Sequence, residues 1–179
     1  MTEQLDEKEL VHGCIRGDKR YQKMLYDLYG KKMYGVCLRY CNDKDIAKDV
    51  MQDAFVKILT NIGQFKFTGP LEAWIRRIMV NTSIQFYRSS ISLKEVELSE
   101  AHGEVRYDET FSKLSKDEIL RLIQNLAPGY RTVFNMYVIE GYSHAEIAEM
   151  MGINENTSKS QLSRARVILQ EEIKKLYSK

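Results

Sequence analysis

The sequence predicts an all-α protein built as two small helical domains joined by a flexible acidic linker. Three observations lead there. Apolar residues recur at the 3.6-residue helical period along most of the chain. Only two prolines, Pro70 and Pro128, fall within 179 residues. One stretch, residues 89–113, lacks sustained periodicity and is polar and acidic, which marks a linker. The expected domains are therefore 1–88 and 114–179.

Four helices are expected in the first domain. A short one over residues 6–16 ends at Gly17. A longer one covers 19–40, with Leu25, Leu28, Tyr29, Met33 (or Lys32), Val36 and Tyr40 on its inner side. The third spans 43–62, with Ile46, Val50, Ala54, Phe55, Ile58, Leu59 and Ile62 as its apolar stripe. Asp43 and Asp45 sit in its first turn, where the helix dipole favours negative charge, and Gly63 is a plausible stop. The fourth opens near Gly69 and Pro70, turns Leu71, Trp74, Ile75, Ile78 and Met79 inward, and ends near Tyr87.

In the second domain, Ser115 stands three residues before Glu118, the spacing of a capping box. Pro128 opens a helix over 129–140 that Gly141 stops. Ser143 and Glu146 repeat the capping-box spacing at the start of a helix over 143–151, and a last helix covers 155–177. Between these two, Gly152 can take the left-handed conformation of a tight turn, with Ile153 as its anchor. A short helix, a turn with Gly and a second helix form the helix-turn-helix pattern.

At about 100° per residue, Leu162, Ala165, Leu169, Ile173 and Leu176 form the buried seam of the last helix. Opposite lie Thr157, Ser160, Ser163 and Arg164, flanked by Lys159, Gln161 and Arg166. Cations, hydroxyls and a carboxamide suit a DNA major groove, where Arg and Lys meet guanine edges or phosphates and Gln meets adenine. A solvated basic face on a structural bundle is the plainer alternative.

Composition narrows the classes. Hydrophobic residues make up 44% and charged residues 29%, as in an ordinary globular protein. No apolar run approaches the roughly 20 residues of a membrane span. The start, "MTEQLDEKEL", is acidic and unlike a signal peptide. A cytoplasmic location is expected. The net charge of +2 is too small to argue for nucleic acid, so local placement must carry that argument. Residues 1–90 carry 15 Lys and Arg against 11 Asp and Glu, whereas residues 91–117 carry 4 against 7.

Cys14, Cys37 and Cys41 form no disulfide framework and fit a reducing compartment. Cys37 and Cys41 share a helix face. A zinc site would need two more ligands, and His12, His102 and His144 lack ligand spacing. No metal or cofactor is expected. A two-metal nuclease built on Asp43, Asp45, Asp49 and Asp53 lacks a suitably spaced His or Glu partner.

The stretches "LYDLYGKKMYGVCLRYCNDKDIAKDVMQDAFVKIL", "FTGPLEAWIRRIMVNTSIQFYR" and "LAPGYRTVFNMYVIEGYSHAEIAEMMGINENTSKSQLSRAR" resemble the bacterial sigma-70 family, most closely its small two-domain extracytoplasmic-function branch. The resemblance covers nearly the whole chain apart from its first residues and the linker. It implies a region 2 domain, a region 4 domain and a non-enzymatic protein. Such a protein binds core RNA polymerase, directs it to promoter DNA and helps open that DNA. It also implies an anti-sigma factor as partner, often membrane-bound in this family, and no small-molecule substrate.

By the same resemblance, Asp45, Asp49, Gln52 and Asp53 would face polymerase. In the loop "GQFKFTG", Lys66 and Phe67 would grip a flipped-out base of the −10 element, with Phe65 turned inward. Arg76, Arg77, Asn81 and Arg88 would hold the melted strand, and Trp74, the only Trp, is assigned to the core. Thr157, Lys159, Ser160, Gln161, Arg164 and Arg166 match the −35 reading surface, and Arg131 and His144 could touch the DNA backbone. Two positions depart from the family's pattern: Ser158 stands on the seam where an aliphatic residue is usual, and Gln85 where an acid is common. The rival function is a one-component helix-turn-helix repressor with a helical effector domain.

Overall fold

The computed structural model describes residues 6–91 and 115–177, and no strand occurs among them. The linker expected over 89–113 lies almost wholly outside these residues; the helix before it continues to Ile91. The chain divides into two compact units, one of residues 1–37 and 43–83, the other of residues 38–42 and 84–179.

The first unit holds α1 (Glu7–Ile15), most of α2 (Lys19–Tyr40), α3 (Lys44–Asn61) with a 3-10 turn (Ile62–Gln64), and the first part of α4 (Leu71–Ile91). Local chemistry sets the starts. The Asp6 side chain accepts from the Lys8 amide, and Asp43 accepts from the amides of Asp45 and Ile46 at 2.8 and 2.9 Å. Gly17 has φ +74°, the left-handed turn that separates α1 from α2. Gly13 lets α1 close onto α2: a Cβ there would stand 2.2 Å from the Tyr21 ring.

Leu25, Met33, Val50, Ile58, Leu71 and Ile75 are among the fully packed side chains of this core. Leu28 is not; it is 57% exposed. On the wheel it lies about 100° from the centre of the stripe formed by Leu25, Tyr29, Met33, Val36 and Tyr40, which is too far round to reach the interior. Cys14, Cys37 and Cys41 are buried, as core residues are, and none of them is in a disulfide among the described residues.

The second unit holds α5 (Lys116–Gln124), α6 (Pro128–Phe134), a π-helical turn (Asn135–Ile139), α7 (His144–Met151) and α8 (Glu155–Tyr177). Both capping boxes are present. Ser115 and Glu118 bond each other's backbone amides, and Ser143 and Glu146 do the same. Leu126, Ala165 and Leu169 form a core cluster covered by Leu122, Tyr130, Phe134 and Ile168. Leu176 lies on the seam by angle but is 49% exposed, because it sits in the last turn of α8 beside exposed Lys174 and Lys175.

The helix expected over 129–140 changes register part way. Glu140 donates to the Asn135 carbonyl at 3.0 Å, a bond spanning five residues. Asn135 is completely buried, and its amide bonds the carbonyls of Arg131 and Arg39 at 2.9 and 2.7 Å. The Asn135 backbone N–H bonds the same Arg131 carbonyl, so that oxygen accepts from both backbone and side chain just before the register changes.

Candidate nucleic-acid interface

In the first unit, α3 turns Asp45, Asp49, Gln52 and Asp53 to solvent. Asp45 pairs with Lys48 at 2.8 Å, and this hydrogen bond and charge hold its carboxyl below the usual range. Val56 continues the stripe of Asp49, Gln52 and Asp53 and is 64% exposed. An exposed acidic edge thus ends in an apolar side chain.

The loop between α3 and α4 splits its two aromatics. Phe65 is buried, tilted against Trp74 with ring centroids 5.8 Å apart. Phe67 is 37% exposed and has φ +55°, the one positive value outside glycine among the described residues. Its ring touches Phe65 at 4.8 Å and presents an edge contact to His12 at 6.0 Å. Glu7 of α1 accepts from the Leu71 amide at 3.2 Å, so α1 also braces the start of α4. Lys66 is exposed, Trp74 is half-buried, Arg77 is exposed, and Arg76 and Asn81 are half-buried. Arg88 belongs to the second unit rather than to this group. Its guanidinium lies beside Gly152 and reaches the Met150 carbonyl at 3.5 Å.

In the second unit, Ile147 and Met151 are buried and Gly152 has φ +70°. The Ile153 amide closes the turn on the Ala148 carbonyl at 3.0 Å. Asn154 accepts from the Thr157 amide at 2.7 Å and so starts α8. Lys159 and Ser160 are exposed, and Thr157, Arg164 and Arg166 are half-buried. Lys159 pairs with Glu155 at 2.7 Å.

Gln161 departs from the expected surface. It is 6% exposed, its carboxamide lying against Gly129, whose missing side chain leaves the room. Arg131 also lies away from the expected surface. It is buried, donating to the carbonyls of Tyr40 and Leu126 at 3.3 and 3.1 Å, and burial lowers its pKa. His144 shares a 2.9 Å hydrogen bond between its Nδ1 and the Oγ of fully buried Ser158. Its ring stacks on Tyr137 at 4.4 Å, and burial together with Lys159 lowers its pKa. Wheel arithmetic places Ser158 on the seam but does not reveal its bond to His144, and Tyr137 carries no sequence signal because nothing in the residue pattern marks the π turn that aims it.

An exposed polar face at the front of a helix that is seated across a glycine turn defines a helix-turn-helix protein. Here it is joined in one chain to a helical unit with an aromatic loop and an acidic edge. The family model described as sigma-70 region 2 matches residues 25–90, and the one described as sigma-70, region 4 matches residues 116–169. The chain belongs to the sigma-70 family, in its extracytoplasmic-function branch.

It is 29% identical to the ECF RNA polymerase sigma-E factor of Haemophilus influenzae over 98% of this chain and 100% of that one. It is 28% identical to the RNA polymerase sigma-H factor of Pseudomonas aeruginosa over 98% of each chain. Its fold is similar to that of the sigma factor RpoE of Bartonella quintana, solved in complex with the anti-sigma factor NepR. That match has a TM-score of 0.53 and 24% identity, and covers 85% of this chain and 96% of that one.

Proposed function

We infer that this chain is a sigma factor that binds core RNA polymerase and directs it to promoters carrying −35 and −10 elements. The observation that carries the reading is the front of α8, where Thr157, Lys159, Ser160, Arg164 and Arg166 lie outside the seam of a helix-turn-helix. These side chains form the −35 surface, without Gln161. Residues 114–179 make up the −35 module and 1–88 the polymerase and −10 module, with 89–113 between them. The edge of Asp45, Asp49, Gln52 and Asp53 offers charge for oriented docking on polymerase. Phe67, Lys66, Arg76, Arg77 and Asn81 serve the −10 strand, where stacking of an extruded base on an aromatic repays about 1–3 kcal/mol.

Members of this family are non-enzymatic, so the chain is not an enzyme; polymerase does the chemistry. No helix among the described residues is long and apolar enough to cross a membrane. The cytoplasm is the proposed place of action, where polymerase meets DNA. An anti-sigma factor is the proposed inhibitor, a reading supported by the complex in which the Bartonella quintana protein was solved.

A gel-shift titration separates a sigma factor from a one-component repressor. Promoter DNA is expected to shift only when core polymerase accompanies the protein. Tight binding by the protein alone, at a palindromic site, would establish the repressor instead.

A further inference from the structure

The DNA-facing side of α8 is buttressed by an aromatic ring outside the helix-turn-helix itself. The π turn carries Tyr137 beside His144, the first residue of α7, with the two rings 4.4 Å apart and 21° from parallel. His144 is fixed in turn by its 2.9 Å hydrogen bond to Ser158. A hydroxyl buried on an otherwise apolar seam is costly unless it is bonded, and the imidazole supplies that bond. The guanidinium carbon of Arg166 lies 5.9 Å from the Tyr137 centroid, within the reach of a cation–π contact.

We propose that Tyr137 is a positioning residue for Arg166: clamped by the His144–Ser158 bond, its ring holds the guanidinium at the rim of the DNA-facing side of α8. This rests on reading α8 as the −35 helix. Arg166 is eleven residues beyond Glu155, the first residue of α8. The base-reading end of a recognition helix is its N-terminal part, so a cation this far along meets a phosphate. The charged groups around the imidazole are Lys159, Arg166 and Glu155, all on α8. Burial first, and then the Lys159 and Arg166 charges, lower the pKa of His144, and the less charge its ring carries, the less it repels the guanidinium that shares Tyr137.

The test is promoter binding by the reconstituted holoenzyme over a salt series. Arg166→Ala is expected to weaken binding uniformly across −35 sequences and to reduce the salt slope by about 1. Tyr137→Leu is expected to weaken binding about twofold to fivefold, the worth of one exposed cation–π contact. Tyr137→Phe is expected to restore it. In an Arg166→Ala background, Tyr137→Leu is expected to change nothing further. Tyr137→Gln provides the same comparison should leucine disturb the fold.

An equal effect of the Tyr137 change in both backgrounds, or no effect in either, overturns the proposal. Arg164→Glu is the control. If that variant binds like the parent, the reading of α8 itself fails; if it weakens binding while Tyr137→Leu does not, only the role of Tyr137 fails.

Discussion

Phe67 holds a backbone conformation that costs an L-residue other than Gly, Asn or Asp about 1–2 kcal/mol. Its ring recovers part of that against Phe65 and His12, yet more than a third of the residue stays in solvent. Local strain at an exposed aromatic points to a use outside the fold. Phe67→Gly is therefore expected to leave the unfolding free energy within about 1 kcal/mol of the parent, or to raise it, because glycine takes positive φ freely. The same change is expected to slow promoter opening, followed by fluorescence of a base analogue in the −10 element. A large loss of stability with normal opening would make Phe67 a core plug. The inward turn of Phe65 and the outward turn of Phe67 were readable from the sequence; the left-handed backbone was not, since no residue pattern there demands it. The burial of Gln161 and Arg131 was not legible in the sequence, because it depends on partners remote along the chain: Gly129 for one, and the carbonyl of Tyr40 for the other.

Helix boundaries were readable wherever punctuation is local. Asp43, Ser115, Ser143 and Gly152 each act on atoms within a few residues, and each does what its type and spacing predict. The cap of α7 has the most direct functional consequence, because α7 seats α8. Ser143→Ala removes the acceptor for the Glu146 amide and is expected to lower stability by about 0.5–2 kcal/mol. Urea denaturation checks this, with Ser143→Thr restoring most of the loss. A Ser160→Ala control should stay near the parent, since that hydroxyl is exposed and bonds only its own helix carbonyl at Thr157. Equal loss from both serines would show that the cap carries no special weight. The π turn is the element that sequence reasoning could not supply. The apolar period passes through residues 135–139 unbroken, and the buried Asn at the start of the turn makes bonds to the Arg131 and Arg39 carbonyls that appear only in the folded chain.

At the scale of the whole molecule, a two-part helical architecture was foreseeable because the change from helical period to acidic, aperiodic sequence is itself a sequence property. The allotment of residues 38–42 to the second unit was not, because it follows from packing. The acidic edge of α3 is proposed to dock on polymerase. Ionic docking weakens with salt, and at about 1 M the screening length falls to about 3 Å. Val56, at the end of that edge, is indifferent to screening. Polymerase binding, measured by fluorescence anisotropy, is expected to keep a residual affinity in concentrated salt that Val56→Asp abolishes. Parent and variant fading identically would assign the whole grip to carboxylates. On that proposal the machine that takes up this chain offers an oily spot among its cations, and brine alone is expected to loosen the pair without parting it.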